Sequence, residues 1–451
     1  MTAKLKNRLV EPCFAAALLL ALCAAPARAN TEWTGGGATG DWNDAANWSG
    51  SDGSYRVNHA EMKGSPVTIA FTNMVDVRKG IWIENKLSGA VTFTASSTDY
   101  GIAQASSGDF NLNIGTAADS AYYSGALAID GGAYHFANDV KVGIGTWRND
   151  AYGELTLKSG RVEVAYWMSL GITSNEGHTG ETGVLNIEGG DFIVGFRDGA
   201  EAEGNSRLTL GASKLSHGIV NQYGGTLSSV ANGDAHAYYD ALVLGGGESA
   251  TGAYNMTGGS YTARKGDVLL GAGTGSAGSL NISGGSFTMA TGWFKVATGT
   301  SSTGTVYVAG GVLAPQGEIH IAGGTNSVAS LDVAGGLVTN NSYMVLGRTS
   351  GGYDAKLLVT GGEVVNNGIT TLGSMAGNGG TALLSMDSGK YTAIGNVFIG
   401  EGYEVDSSAL SGSATLTVNG GVFDNGSATT TFAANANLTG SAYSSALNLY
   451  G

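Results

Sequence analysis

The chain has 451 residues, with 22 Lys and Arg against 36 Asp and Glu, a formal charge of −14, 76 glycines, four prolines and two cysteines. So acidic a chain, with so few cations, suits neither nucleic acid nor an anionic membrane surface. Abundant glycine with scarce proline suits many tight corners between uninterrupted strands.

Residues 1–29 read as a signal peptide. Lys4, Lys6 and Arg8 make a basic start, Phe14 to Ala25 is apolar, and Ala27-Arg28-Ala29 offers a small-x-small cleavage site before Asn30. Both cysteines, Cys13 and Cys23, fall inside this segment. The rest of the chain therefore has no disulfide, thiol nucleophile or thiolate metal site, and carries 18 basic against 35 acidic residues, a formal −17. No later segment is long and apolar enough to cross a bilayer as a helix. Export to the cell surface, the outer membrane or the extracellular space is expected.

Residues 30–107 are expected to cap the first end of a stacked structure. They hold Trp33, Trp42, Trp48 and Trp82, four of the seven tryptophans, and the repeat described next has not begun. Core plugs are the simpler reading of these rings, and stacking on sugars is the rival one. Val67–Phe71, Val75–Val77 and Ile81–Ile83 read as irregular first strands.

Over 108–451 a glycine pair recurs. Its second member falls at Gly132, Gly160, Gly190, Gly225, Gly259, Gly285, Gly311, Gly336, Gly362, Gly389 and Gly421, with Ser first before Gly160 and Gly389. The spacing is 25 to 35 residues. Two residues after the pair the chain is always apolar, from Tyr134 and Val162 to Tyr391 and Phe423. Five and three residues before it the chain is nearly always apolar, as at Leu155/Leu157, Leu280/Ile282 and Leu331/Val333, with Gln222 the exception. Apolar residues two apart mark short strands with one buried face. A third such segment follows, as in Val140-Lys-Val142-Gly, Val268-Leu-Leu270-Gly and Val397-Phe-Ile399-Gly.

Three short strands per unit at this period predict an all-β, single-stranded right-handed parallel β-helix of about 11 recognisable coils, with the glycine pair as a corner. A propeller blade needs about 40 to 50 residues and four strands, and leucine-rich spacing is absent. Inserts at Asn175–Thr182, Asp198–Ser206 and Gly233–Asp240 are expected to project sideways. Short strands at Thr429–Phe432 and Ala446–Tyr450 either close the coil or lead into a longer polypeptide.

The opening Trp33-Thr-Gly-Gly with Gly40-Asp-Trp42-Asn-Asp-Ala-Ala-Asn47-Trp48-Ser resembles the start of bacterial autotransporter-associated β-strand-repeat proteins. Ser279-Leu-Asn-Ile-Ser-Gly-Gly-Ser-Phe287 and Ala414-Thr-Leu-Thr-Val-Asn-Gly-Gly-Val-Phe423 resemble the repeats of the same group. The resemblance implies a passenger-type β-helix, in a group that includes adhesins, matrix components and some enzymes. It departs from that pattern in showing no C-terminal barrel after Gly421, and no sorting tail.

Catalysis on such a fold needs acids and bases converging at matching offsets of adjacent coils, about 4.8 Å apart. His135 and His320 alternate out of the apolar ladders at different offsets, and His178 and His236 lie in loops. No His-x-x-x-His occurs, and the glycine runs Gly245-Gly-Gly247 and Gly271-Ala-Gly273 lack a phosphate-loop context. Lys265, Asp267, Lys295, Arg348, Asp354 and Lys356 form no evident catalytic pair. The best polar cluster is in the early loops: Arg148, Asn149 and Asp150, then Glu176 and His178, then Arg197, Asp198, Glu201 and Glu203. It is either a strip for glycan hydroxyls or Ca²⁺, or a solvated loop face.

No catalytic, cofactor-binding or metal-ligating residue is assigned. The expectation is a non-enzymatic exported structural or adhesive solenoid that binds surface glycans or matrix polymers, or itself, through extended faces and side loops. A polysaccharide-active lyase or hydrolase and a passive stalk of a longer autotransporter are the alternatives.

Overall fold

Short segments with one apolar face bury that face by stacking on their own equivalents. The computed structural model describes residues 31–50, 55–58, 66–84, 90–104, 111–116, 124–146, 149–173, 178–197, 200–201, 206–231, 240–348, 351–373, 378–400, 411–426, 428–432 and 443–449. They form a parallel β-solenoid of about 11 turns, right-handed in type, with strands stacked about 28 residues apart.

Three ladders run along it. The first holds the strands before the glycine corner, the second those after it, and the third the segments such as Val140–Gly145, Asp267–Leu270 and Met344–Leu346. Ser124–Phe136 and Tyr152–Val164 run through the corner and serve both the first and the second ladder. The coil begins before the first glycine pair. Val67–Phe71 pairs with Val91–Ala95, which pairs with residues 127–130. Met74–Asp76, one residue earlier than the sequence suggests, pairs with Gly101–Ala103. At the far end Thr430–Phe432 pairs with Val397–Ile399, and Tyr443–Leu449 with Ser411–Val418.

The inward residues stack in register. One column of the first ladder reads Leu127, Leu155, Leu185, Val220, Tyr254, Leu280, Val306, Leu331, Leu357, Leu384 and Leu416. Gln222 sits in the neighbouring column between Ile187 and Met256, and is completely buried. Its amide is satisfied there: Tyr254 Oη donates to Gln222 Oε1 at 2.6 Å, and Gln222 Nε2 donates to the carbonyl of Ser260 at 2.9 Å. A polar group is tolerated in the core because its partners are built in. Asn340 and Asn366 form a buried amide pair, Nδ2 to Oδ1 at 2.9 Å, and Thr370 links Asn366 to the hydroxyl of Tyr391.

Each corner has its own cause. At Gly284 a Cβ would lie 2.5 Å from the carbonyl oxygen of Thr257 in the coil before. At Gly285 the backbone has φ +81° and a Cβ would lie 2.6 Å from the carbonyl of Gly259. The first glycine thus answers close approach, the second left-handed backbone as well. The turn from the third ladder to the first adds a column of left-handed residues that the sequence does not announce, Asp150, Gly180, Leu215, Ser249, Gly275, Ser301 and Asn326, with φ from 53° to 88°. Each is followed by a buried residue: Ala151, Glu181, Ser216, Ala250, Ser276, Ser302 and Ser327. The serine hydroxyls close their own turns, as Ser276 does on the carbonyl of Gly273 at 2.7 Å.

The opening motif builds the first end. Trp42 packs on Trp48, Tyr55, Phe71 and Phe93, with ring centroids 4.7 to 5.9 Å apart, and Trp33 packs edge-on to Trp48 at 4.9 Å. Trp33 and Trp42 are buried at 4% and 3% exposure, so both serve as core plugs rather than open sugar platforms. Thr31–Trp33 pairs with Tyr55–Asn58 and covers the edge of the third ladder. Trp42 N donates to the carbonyl of Ala70 and Ala70 N to that of Gly40, covering the first. Buried Asn47 holds the loop between, donating to the carbonyls of Thr39 and Asp41 and accepting from Gly37 N at 2.8 Å. Asp44 caps the short 3₁₀ turn Ala45–Asn47. Unpaired strand edges are thereby covered.

Candidate functional site

Side chains on the outward faces also fall into columns, so chemistry can repeat at the strand spacing of about 4.8 Å. On the first ladder Asn186, Asn221, Asn255 and Asn281 occupy one outer column. Each amide nitrogen donates to the amide oxygen one coil earlier, at 3.0, 3.0 and 2.9 Å, and Asn186 donates to Glu154 Oε1 at 2.8 Å. Each amide carries two N–H donors and two lone pairs, so the chain of bonds leaves hydrogen-bonding capacity facing outward. Tyr307 continues the column at 44% exposure; at the other end Thr156 precedes Asn186, and Glu154, from a neighbouring column, accepts from both Asn186 and exposed Tyr152. The strip spans roughly 24 Å at that spacing. The alternation of Asn with apolar residues before successive glycine pairs was the signal for it, and the reading of the sequence passed over it.

Charges on the other faces are largely paired. On the second ladder Glu163 is 1% exposed and is gripped by His135 Nδ1 at 2.7 Å and by Arg161. Burial would raise its pKa, but hydrogen bonds and charge from His135 and Arg161 outweigh burial and hold the carboxyl at about 2. A depressed folded-state value means the contribution to stability is complete above the unfolded value and is lost as pH falls toward 2. Glu163→Gln is therefore expected to flatten the loss of melting temperature between about pH 4.5 and pH 2, where the native chain loses on the order of 2 kcal/mol. A pH–stability profile by circular dichroism checks this, and identical profiles would contradict it.

On the third ladder three of the residues with no evident catalytic pairing in the sequence, Asp267, Lys295 and Arg348, come together, whereas Lys265 lies on the second ladder and Asp354 and Lys356 on the first. Lys295 Nζ donates to Asp267 Oδ2 at 2.6 Å, and Arg348 bonds both Glu318 Oε2 at 2.6 Å and His320 at 2.8 Å. Trp293 lies among them, with Lys295 4.6 Å and Arg348 5.3 Å from its ring centroid and the His320 ring at 5.1 Å. His320 is driven below its ordinary pKa by burial and the nearby cations, against the pull of Glu318. Asp240 faces Asp267 one coil away, and burial followed by that like charge raises its pKa. Lys356 pairs with Asp354 at 2.7 Å.

Of the early-loop cluster, Arg148, Glu176, Asp198 and Glu203 lie outside the described residues, as does the side chain of Arg197, and His59 and His236 do too. The described part does stack: His178 Nδ1 and Asn149 Oδ1 are 3.3 Å apart, and Asp150 N donates to the carbonyl of Thr179. Of the insert at Asp198–Ser206, the described flanks Phe196–Arg197 and Ala200–Glu201 pair as an antiparallel hairpin, with Phe196 packed on Ile193 and Val230 under Arg264. Thr182 and Asp240, taken as insert ends, belong to strands.

The chain matches no family model, no curated protein and no solved structure. Among the described residues no helix is long and apolar enough to cross a membrane, and no group of three or more His, Cys, Asp or Glu is placed to hold a metal ion.

Proposed function

We propose that this chain is an exported, non-enzymatic surface or secreted solenoid that binds surface glycans or matrix polymers along its outer faces. The observation that carries the reading is the hydrogen-bonded column Asn186, Asn221, Asn255 and Asn281, continued by exposed Tyr307. Amides at a fixed rise offer an extended, hydroxyl-rich polymer the same weak contact many times, and affinity grows by repetition. The basic, apolar and small-residue start of residues 1–29 supports export, as does the resemblance of the opening motif to autotransporter-associated repeats.

The test is retention of the purified chain, without residues 1–29, on insoluble polysaccharides of several classes. Asn221→Leu with Asn255→Leu is expected to keep the fold, since both side chains face outward, and to weaken retention at least about tenfold, or 1.4 kcal/mol. Unchanged retention with an unchanged melting curve would defeat the proposal.

One observation favours the enzymatic alternative. Asp240, whose pKa is raised by burial and then by the like charge of Asp267, faces Asp267 one coil away within the influence of Arg207 and Lys295, and two neighbouring carboxyl groups are the residue types that glycoside hydrolysis employs. Depolymerisation of a polysaccharide that disappears in both Asp240→Asn and Asp267→Asn would establish that reading over the first.

A further inference from the structure

Glu181 does not fit its column. The equivalent residues of neighbouring coils are Ala151, Ser216, Ala250, Ser276, Ser302 and Ser327, all small and buried. Its main chain keeps the register, Thr182 N donating to the carbonyl of Ala151 and His217 N to that of Glu181. The side chain has none of the turn-closing contacts the serines make. It is completely buried, and beyond the pull of its own main-chain N–H neither Oε1 nor Oε2 has a hydrogen-bond partner. Oε1 lies where a Cβ on Gly145 would stand, so only glycine at 145 leaves room for it.

A second carboxylate lies on the adjacent coil, against the residue before Glu181. Asp150 occupies the same left-handed turn position as Gly180, one coil earlier, and its Oδ1 takes the space that a Cβ on Gly180 would fill. Asp150 is exposed; burial raises the Glu181 pKa, its own main-chain N–H and the charge of His178 pull it down, and the like charge of Asp150 adds a smaller upward push. Asn149, His178 and Thr179 tie the two turns together above them. An orphaned buried carboxylate costs several kcal/mol unless it is neutralised or given a counter-ion.

We propose that Glu181 and Asp150 hold a hard divalent cation, of the Ca²⁺ class, between the turns of two adjacent coils. Such an ion takes carboxylates together with neutral oxygens and water, so two acidic residues suffice where the remaining ligands are main-chain carbonyls and solvent. The bound ion pins together the two turns that carry the longer early loops. The site stands apart from the asparagine column and does not depend on the polymer-binding reading.

The experiment uses the purified chain without residues 1–29, treated with EDTA and then titrated with CaCl₂, with MgCl₂ as comparison, by calorimetry and thermal melting. The native chain is expected to bind one Ca²⁺ and to melt several degrees higher with it. Glu181→Ser, which restores the residue type of the column, is expected to melt at or above the metal-free native chain and to show no response to Ca²⁺. Asp150→Asn is expected to weaken binding at least about tenfold. No Ca²⁺ response in the native chain, or an equal response in Glu181→Ser, would overturn the proposal. So would a metal-free stability that falls with rising pH, is indifferent to Ca²⁺, and loses that fall in Glu181→Ser, since Glu181 would then be a neutral acid.

Discussion

Gly285→Ala is expected to destabilise the coil by about 2–5 kcal/mol, from a left-handed backbone penalty of about 1–2 kcal/mol and an overlap penalty of about 1–3 kcal/mol. Both contributions are visible at this residue: φ is +81°, and the added carbon would lie 2.6 Å from the carbonyl oxygen of Gly259. Neither atom can yield, because that carbonyl accepts the ladder hydrogen bond from Ser286. Gly275 provides the control. Its φ is +65°, but a Cβ there would meet only Ser249 Oγ at 3.3 Å, and its column already holds Leu215, Ser249, Ser301 and Asn326. Gly275→Asn is therefore expected to cost less than about 1 kcal/mol. Urea melts of the two variants check the contrast, and equal losses would mean that backbone angle alone explains the second glycine of the pair. A solenoid can unfold in parts, so melts should be followed by probes at both ends.

Trp42→Ala is expected to cost about 3–5 kcal/mol and to act on the first coils. The ring touches Trp48, Tyr55, Phe71 and Phe93, and its backbone covers the edge of Val67–Phe71. Losing it uncovers strand edges of the first and third ladders, which then become free to pair with another chain. Hydrogen exchange should quicken in residues 66–84 while the coils from Gly259 to Gly389 stay protected, and the variant should self-associate at lower concentration. If instead the ring served sugar stacking, the variant would melt like the native chain and lose polymer binding alone.

The glycine pair with apolar residues at fixed offsets was enough to read the three ladders, because burial and backbone register impose the same choice on every coil. Gln222 was legible only as an exception, since its partners Tyr254 and Ser260 lie 32 and 38 residues away. The left-handed column from Asp150 to Asn326 was not legible, because Leu215 and Ser301 do not advertise a positive φ. The outer columns were harder still. Polar residues at outward positions look alike in a sequence, and whether Asn221 is solvated or linked to Asn186 and Asn255 depends on register between coils. Glu181 was not legible either, because its oddness among Ala and Ser depends on register between coils and its lack of a partner from any other residue depends on the packing around it. The early-loop strip was sought among exposed charges, whereas the residue that does not fit lies beneath them.

Affinity measured against oligosaccharide length tests most directly whether recognition is by an extended face rather than by a closed pocket. For a polymer class that the chain retains, affinity is expected to rise with each added sugar up to the roughly 24 Å of the strip from the coil of Thr156 to Tyr307, then to level off, with the slope lost in Asn221→Leu with Asn255→Leu. Full affinity for a mono- or disaccharide, unaffected by that variant, would contradict it.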